Sequence, residues 1–290
     1  MIEFIFCIIC SSLIFVLFKL FPKYKIDTFQ AIVANYFTAA SCGLIRFSSN
    51  LVGVSQVEGN INFYALLCAI LFISLFLIMG LSSQRNGVAS TSVAVKMSMA
   101  ISMMAMIWHN NESITALKII GIITAFIGVI LISLPNTKVK NGQRAIWMLL
   151  ILFIGSGLLD FLLNLIQKSE LNGLHPGLFS AMGFLFAGII GISLIGIQLI
   201  RKKTKIKLRS ILAGIILGIP NYFSIYLLLA AYKSTGWSDS TVLAVMNVAV
   251  VILSTFIGLL IFSERLNLKK TIGLCFSILA IIILYISNAS

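Results

Sequence analysis

Charge is what this sequence has little of. Its 290 residues include 8 Asp and Glu, 21 Lys and Arg and 2 His, so that 10% of the chain is charged. A soluble domain of this length carries about a quarter of its residues charged and under half apolar; here 60% are hydrophobic. The shortage excludes a soluble globular domain and leaves an integral membrane protein. It also leaves little for acid–base catalysis. An enzyme acting on a lipid-linked substrate needs paired carboxylates, or a His with a carboxylate, at the interface. His109 with Glu112 is the one such pair, on a turn without metal-ligand spacing, and His175 stands beside Pro176 at a helix start. No cofactor and no metal are expected.

The net charge of +13 is the other imbalance. The Lys and Arg sit in short clusters between apolar runs rather than along one amphipathic surface, which reads as membrane-protein loops and not as a nucleic-acid footprint. The five cysteines, Cys7, Cys10, Cys42, Cys68 and Cys275, all fall inside apolar runs. Cys7 and Cys10 have CxxC spacing but no basic or metal-binding neighbour, so they read as small packing residues. The first apolar run, Ile2 to Leu20, lacks a basic start and a small-residue cleavage site, and reads as a first span rather than a leader.

A hydrocarbon core about 30 Å thick needs about 20 apolar residues at 1.5 Å each. That ruler predicts ten helices, at 2–20, 28–46, 62–83, 88–107, 115–134, 145–166, 177–200, 210–232, 240–262 and 269–287, with loops too short for a soluble domain. The polar stretch PNTKVKNGQR, Pro135 to Arg144, divides them five and five. In each half a Glu ends a helix, a Lys follows six residues later and a Gly nine later: Glu112, Lys118, Gly121 and Glu264, Lys270, Gly273. CSSLIF at Cys10 to Phe15 likewise matches GSGLLD at Gly155 to Asp160. The chain therefore reads as a duplicated unit, 1–137 and 138–290. Five is odd, so the copies cross the bilayer in opposite senses, an inverted-topology repeat around a central cavity and a plan recurrent among secondary transporters. One set of loop sides carries 16 Lys and Arg and the other 4, which places both termini outside.

Two residues lie deep enough to incur the roughly 2.5–3.5 kcal/mol that insertion scales assign to a charge at a helix centre. Lys96, about 13 Å from one boundary, is too deep to snorkel. It must face a polar cavity or a partner; paired to a backbone carbonyl, it would be structural. Ser92, Lys96, Met99, Met103 and Met106 share a face. Thioethers suit a surface that accepts differently shaped ligands, and they also serve as ordinary packing. Asp160 shares a face with Gly157 and Asn164. Counted from the same side it is about 22 Å deep, roughly 9 Å beyond Lys96, which argues against a direct salt bridge unless the helices are displaced along their axes.

In GIPNYFSIY, Pro220 frees a backbone carbonyl within the membrane, with Asn221, Tyr222, Ser224 and Tyr226 close by. Asn247 stands near the second-copy position of Lys96, in the stripe Ser240, Ala244, Asn247, Val251, Ser254, Gly258, as interhelical glue or as a ligand contact. Asn35 and Tyr36 are weaker candidates of the same kind. Glu112 and Glu264 read as structural caps. The substrate-binding set is thus Lys96, Asn221, Asn247, Asp160, Asn164, Tyr222, Asn35 and Ser92.

The segments QRNGVASTSVAVKMSMAISMMAMIWHNNESITALKIIG and YKSTGWSDSTVLAVMNVAVVILSTFIGLLIFSERLNLKKTIG resemble the drug/metabolite transporter superfamily in its EamA branch. The resemblance implies ten helices in an inverted repeat, both termini in the cytoplasm, and carriage of small organic solutes, often outward, by alternating access. Lys96 is not part of that motif, and its role rests on its own physical chemistry: a buried lysine predicts an anionic group on the substrate or a lysine that releases its proton. The expected protein is a secondary carrier in the inner (cell) membrane. It would export amino-acid-like or anionic metabolites, coupled to protons or a counter-substrate, with a lipid-linked-substrate flippase or a membrane enzyme as the alternative.

Overall fold

A computed structural model describes residues 2–47, 61–110, 115–133, 142–169, 176–201, 205–234, 239–264 and 267–289. Among them the apolar runs are all helical: α1 (Ile2–Leu20), α2 (Thr28–Arg46), α3 (Ile61–Arg85), α4 (Val88–Met97), α5 (Met99–Asn110), α6 (Ala116–Ser133), α7 (Gly142–Ser169), α8 (Pro176–Ile200), α9 (Leu208–Ser234), α10 (Asp239–Leu260) and α11 (Leu268–Ala289). Six contain stretches long and apolar enough to cross a membrane, and three shorter apolar stretches accompany them.

The stretch expected as one helix over 88–107 is two. α4 and α5 meet at Ser98, whose backbone stays in the right-handed helical region at φ −54°, ψ −21°. Its hydroxyl donates to the Val95 carbonyl at 2.6 Å. An uninterrupted helix offers that carbonyl to the Met99 N–H, so the hydroxyl competes for the same acceptor at the break.

The described chain forms two compact units. One comprises Met1–Lys19, Ile78–Phe161 and Leu227–Ser290, the other Leu20–Leu77 and Leu162–Tyr226. Neither unit is one half of the sequence; each draws on both halves.

In the first unit α6 packs most extensively on α11, and α4 on α10. Small residues let the α6 and α11 backbones approach closely. A Cβ built on Gly273 would stand 2.8 Å from the Ile132 nitrogen and 2.9 Å from the Gly128 carbonyl oxygen. A Cβ built on Gly121 would likewise stand 2.6 Å from Leu284 Cδ2. The spacing that matches Gly121 to Gly273 also matches Ile132 to Leu284. The core of this unit gathers Val93, Met97, Ala100, Phe153, Val251 and Ile281 among other buried residues. Phe126 meets Phe153 edge to face at 5.1 Å.

In the second unit the closest pair is α2 with α8. Gly43 faces Ala181 and Gly191 faces Val33, and the spacing that matches Gly43 to Gly191 also matches Val33 to Ala181. The start of α2 is capped by its own Asp27, which accepts from the Phe29 and Gln30 nitrogens at 3.1 Å. The Asp27 N–H in turn donates to Ser210 Oγ at 2.8 Å. Gln30 clasps the approach to α9, donating to the Lys205 carbonyl at 2.8 Å and accepting from the Lys207 N–H at 3.0 Å.

Candidate functional site

α4 positions Lys96 two residues before the break at Ser98. The side chain is half-buried, within electrostatic range of Asp160 on α7 and Cys7 on α1. Among the described residues no carboxylate pairs with it directly.

Asp160 Oδ2 accepts from Ser98 Oγ at 3.3 Å, and Ser98 is about 3 Å of helical rise from Lys96.

The cause of the approach is Gly157. A Cβ there would meet the Ser98 carbonyl oxygen at 2.7 Å and Ile101 Cβ at 2.5 Å, so only glycine lets α7 lie against the break. On α7 the exposed side chains Ile151, Ile154 and Leu158 mark the outward face. Asp160 is three residues on from Gly157 and shares its inward side. It nevertheless keeps accessible surface.

The same unit brings other expected residues beside this pair. Asn247 is buried and donates from Nδ2 to Met99 Sδ at 3.5 Å. Ser92 is buried, donates to the Ala89 carbonyl at 3.0 Å and accepts from Ser254 Oγ at 2.6 Å. Its hydroxyl is thereby committed to the α4–α10 contact. Cys7 donates to Met246 Sδ at 3.2 Å. Asn164 lies on α7, but its side chain, like those of Met103 and Met106, is outside the described residues, as are Glu112 and His175.

The second unit holds Asn35, Asn221 and Tyr222. Asn35 is fully buried, yet among the described residues neither of its amide atoms has a hydrogen-bond partner, nor do Asn221 Nδ2 and the hydroxyls of Tyr36 and Tyr222. Each such group costs about 1–3 kcal/mol. Tyr36 stacks on Phe184 at 5.8 Å and tilts against Phe76 at 5.7 Å. Tyr222 stacks on Tyr226 at 6.0 Å, and the Tyr226 hydroxyl accepts from Arg46 at 3.3 Å. Pro220 lies inside α9 and leaves the carbonyl one turn earlier without its usual donor. Gly214 and Gly218 let α9 approach α2, where added Cβ atoms would meet Ala31 and Ala34, and Asn35 and Thr38.

Sequence reasoning missed Ser98, whose signal was a hydroxyl two residues from a buried lysine. It read Glu264 as a cap, and Glu264 is the cap of α4: Val88 and Ala89 donate their N–H groups to its carboxylate at 2.8 and 3.4 Å.

Residues 143–286 match the model of the EamA-like transporter family. An uncharacterized protein of Haemophilus influenzae is 30% identical over 292 residues, covering 97% of this chain and 96% of that protein. A protein known by its crystal structure shares the fold with a TM-score of 0.62 at 10% identity, over 98% of this chain and 97% of that one.

Proposed function

The chain belongs to the EamA-like transporter family, a multi-pass membrane transporter of small solutes, and from that premise we propose that it is a secondary active carrier exporting amino-acid-like or anionic metabolites across the inner (cell) membrane by alternating access. The observation that carries this reading is the separation of Lys96 from Asp160. Two opposite charges at bilayer depth sit within electrostatic range yet without a direct bond, so each retains capacity for a solute group or a proton. Lys96 serves as counter-charge to an anionic group, and Asp160 as the partner of a cationic group or as the proton carrier.

Asn247 and Ser92 belong to the unit that holds this pair. Taken by itself, the other unit offers Asn35, Asn221 and Tyr222, with polar atoms unpartnered among the described residues, as neutral hydrogen-bonding positions for a solute. The matched spacings in the contacts of α6 with α11 and of α2 with α8 support an inverted repeat of 1–137 and 138–290, because a two-fold relation makes each contact recur with its partners exchanged. Solutes screened for thermal stabilisation of the purified protein, then assayed for flux in proteoliposomes, test the reading. Saturable flux of a stabilising amino acid or organic anion is expected; non-saturable conduction would make the protein a channel instead.

A further inference from the structure

We propose that Ser98 is a hinge between α4 and α5 whose state is set by Asp160, so that charge on that carboxylate is converted into helix bending beside Lys96. This rests on the reading of Lys96 and Asp160 as the working charges of the carrier, and adds how a change at one of them moves backbone.

Three independent observations meet at this residue. The helix is interrupted there and nowhere else between Val88 and Asn110. One hydroxyl proton faces two acceptors, the Val95 carbonyl at 2.6 Å and Asp160 Oδ2 at 3.3 Å. Gly157 leaves α7 directly against the Ser98 carbonyl. After the break the ladder restarts with a tight turn: the Ile101 N–H reaches the Ser98 carbonyl at 2.9 Å and Ser102 reaches the same oxygen at 3.2 Å.

A hydroxyl bonded to a carbonyl of the preceding turn competes with the ladder for that acceptor and often bends the helix. A carboxylate is a stronger acceptor than a peptide carbonyl, whereas a neutral carboxyl is a weaker one. An ionised Asp160 therefore draws the hydroxyl away and returns the Val95 carbonyl to the Met99 N–H, closing the ladder. A neutralised Asp160 releases the hydroxyl to Val95 and holds the bend open. The titratable groups that face this switch are Lys96 on α4, which acts on Asp160, and the Cys7 thiol on α1, beside Lys96.

Hydrogen exchange read by mass spectrometry over the peptide spanning Val95 to Met103 tests the hinge without any solute. Rates divided by the intrinsic rate at each pH are expected to fall about tenfold as pH rises from about 5 to about 8, as the Met99 amide regains its acceptor. The change should vanish in Asp160→Asn and Ser98→Ala and persist in Ser98→Thr, which keeps the hydroxyl. Flat protection in the wild-type protein overturns the proposal, and that series decides even if a variant fails to fold. Titration of Ser98→Ala like wild type overturns it equally. Absence of solute flux would instead count against the carrier reading, so the two failures are told apart.

Discussion

The Glu264 carboxylate lies 2.8 Å from the backbone nitrogen of Val88 and closes the start of α4 from 176 residues further along the chain. Helix starts are ordinarily capped by the residue just before them, but here that residue is Gly87, with φ +95° and no side chain to offer. The glycine is required twice over, because a Cβ on it would stand 2.6 Å from Glu264 Oε2 and its φ is one that other residues rarely adopt. Lys19 completes the arrangement at 3.3 Å from Oε1, and Lys270 reaches Ser90 in the first turn of α4 at 3.4 Å.

Removing this cap leaves two N–H groups without their acceptor and Lys19 without its ion-pair partner. Glu264→Ala is expected to cost about 2 kcal/mol, and Glu264→Gln less, since an amide oxygen still accepts from Val88. Thermal unfolding in detergent should rank wild type above Gln above Ala. An unchanged midpoint for the alanine variant would refute the capping role.

The α6–α11 contact predicts a contrast between matched glycines. Gly273→Ala would set a methyl against the Ile132 nitrogen and the Gly128 carbonyl, both backbone, whereas Gly121→Ala meets only the side chains of Leu284 and Ile283. Backbone cannot turn aside and a leucine can, so Gly273→Ala is expected to cost about 2 kcal/mol or more and Gly121→Ala about 1 kcal/mol or less. The same unfolding assay checks the order, and equal losses would contradict the packing described.

Much of the architecture was legible because its causes are local. A run of twenty apolar residues must be helical in a bilayer, and the Gly121 and Gly273 spacing survived as a pattern that needed no coordinates. What escaped reading depends on where helices start relative to one another. The hydrogen bond from Ser98 to Asp160 could not be read because it depends on how α4 and α7 are placed against each other. The break at Ser98 was invisible because serine is tolerated within helices and bends them only when its hydroxyl takes a particular acceptor. Asn35, Asn221 and Tyr222 were recognisable as polar groups in apolar helices, but their lack of partners is a property of the packed bundle.

That lack makes a prediction of opposite sign for stability and function. Asn35 is fully buried, with neither amide atom bonded among the described residues, so the folded protein bears a desolvation cost without return. Asn35→Leu, close to it in volume, removes that cost and is expected to raise stability by about 1–2 kcal/mol while weakening solute affinity. Unfolding midpoint and transport KM, measured on one preparation, check both halves. A destabilised variant would mean that the amide is already satisfied in the working protein.

Lys96→Met tests the charge at the centre of the carrier reading. Methionine keeps the unbranched stem and fills a similar volume, and the lysine it replaces has no direct ion pair to lose among the described residues. The fold should therefore survive, with an unfolding midpoint at or above that of wild type, since a costly intramembrane charge has gone. Transport should not survive: losing a charged contact to the solute removes about 2–4 kcal/mol, or roughly thirty- to a thousandfold in affinity. Stabilisation by the wild-type solute should disappear in parallel. If Lys96→Met proteoliposomes carry the solute at the wild-type rate, the ammonium is a structural charge and the binding site lies elsewhere in the chain.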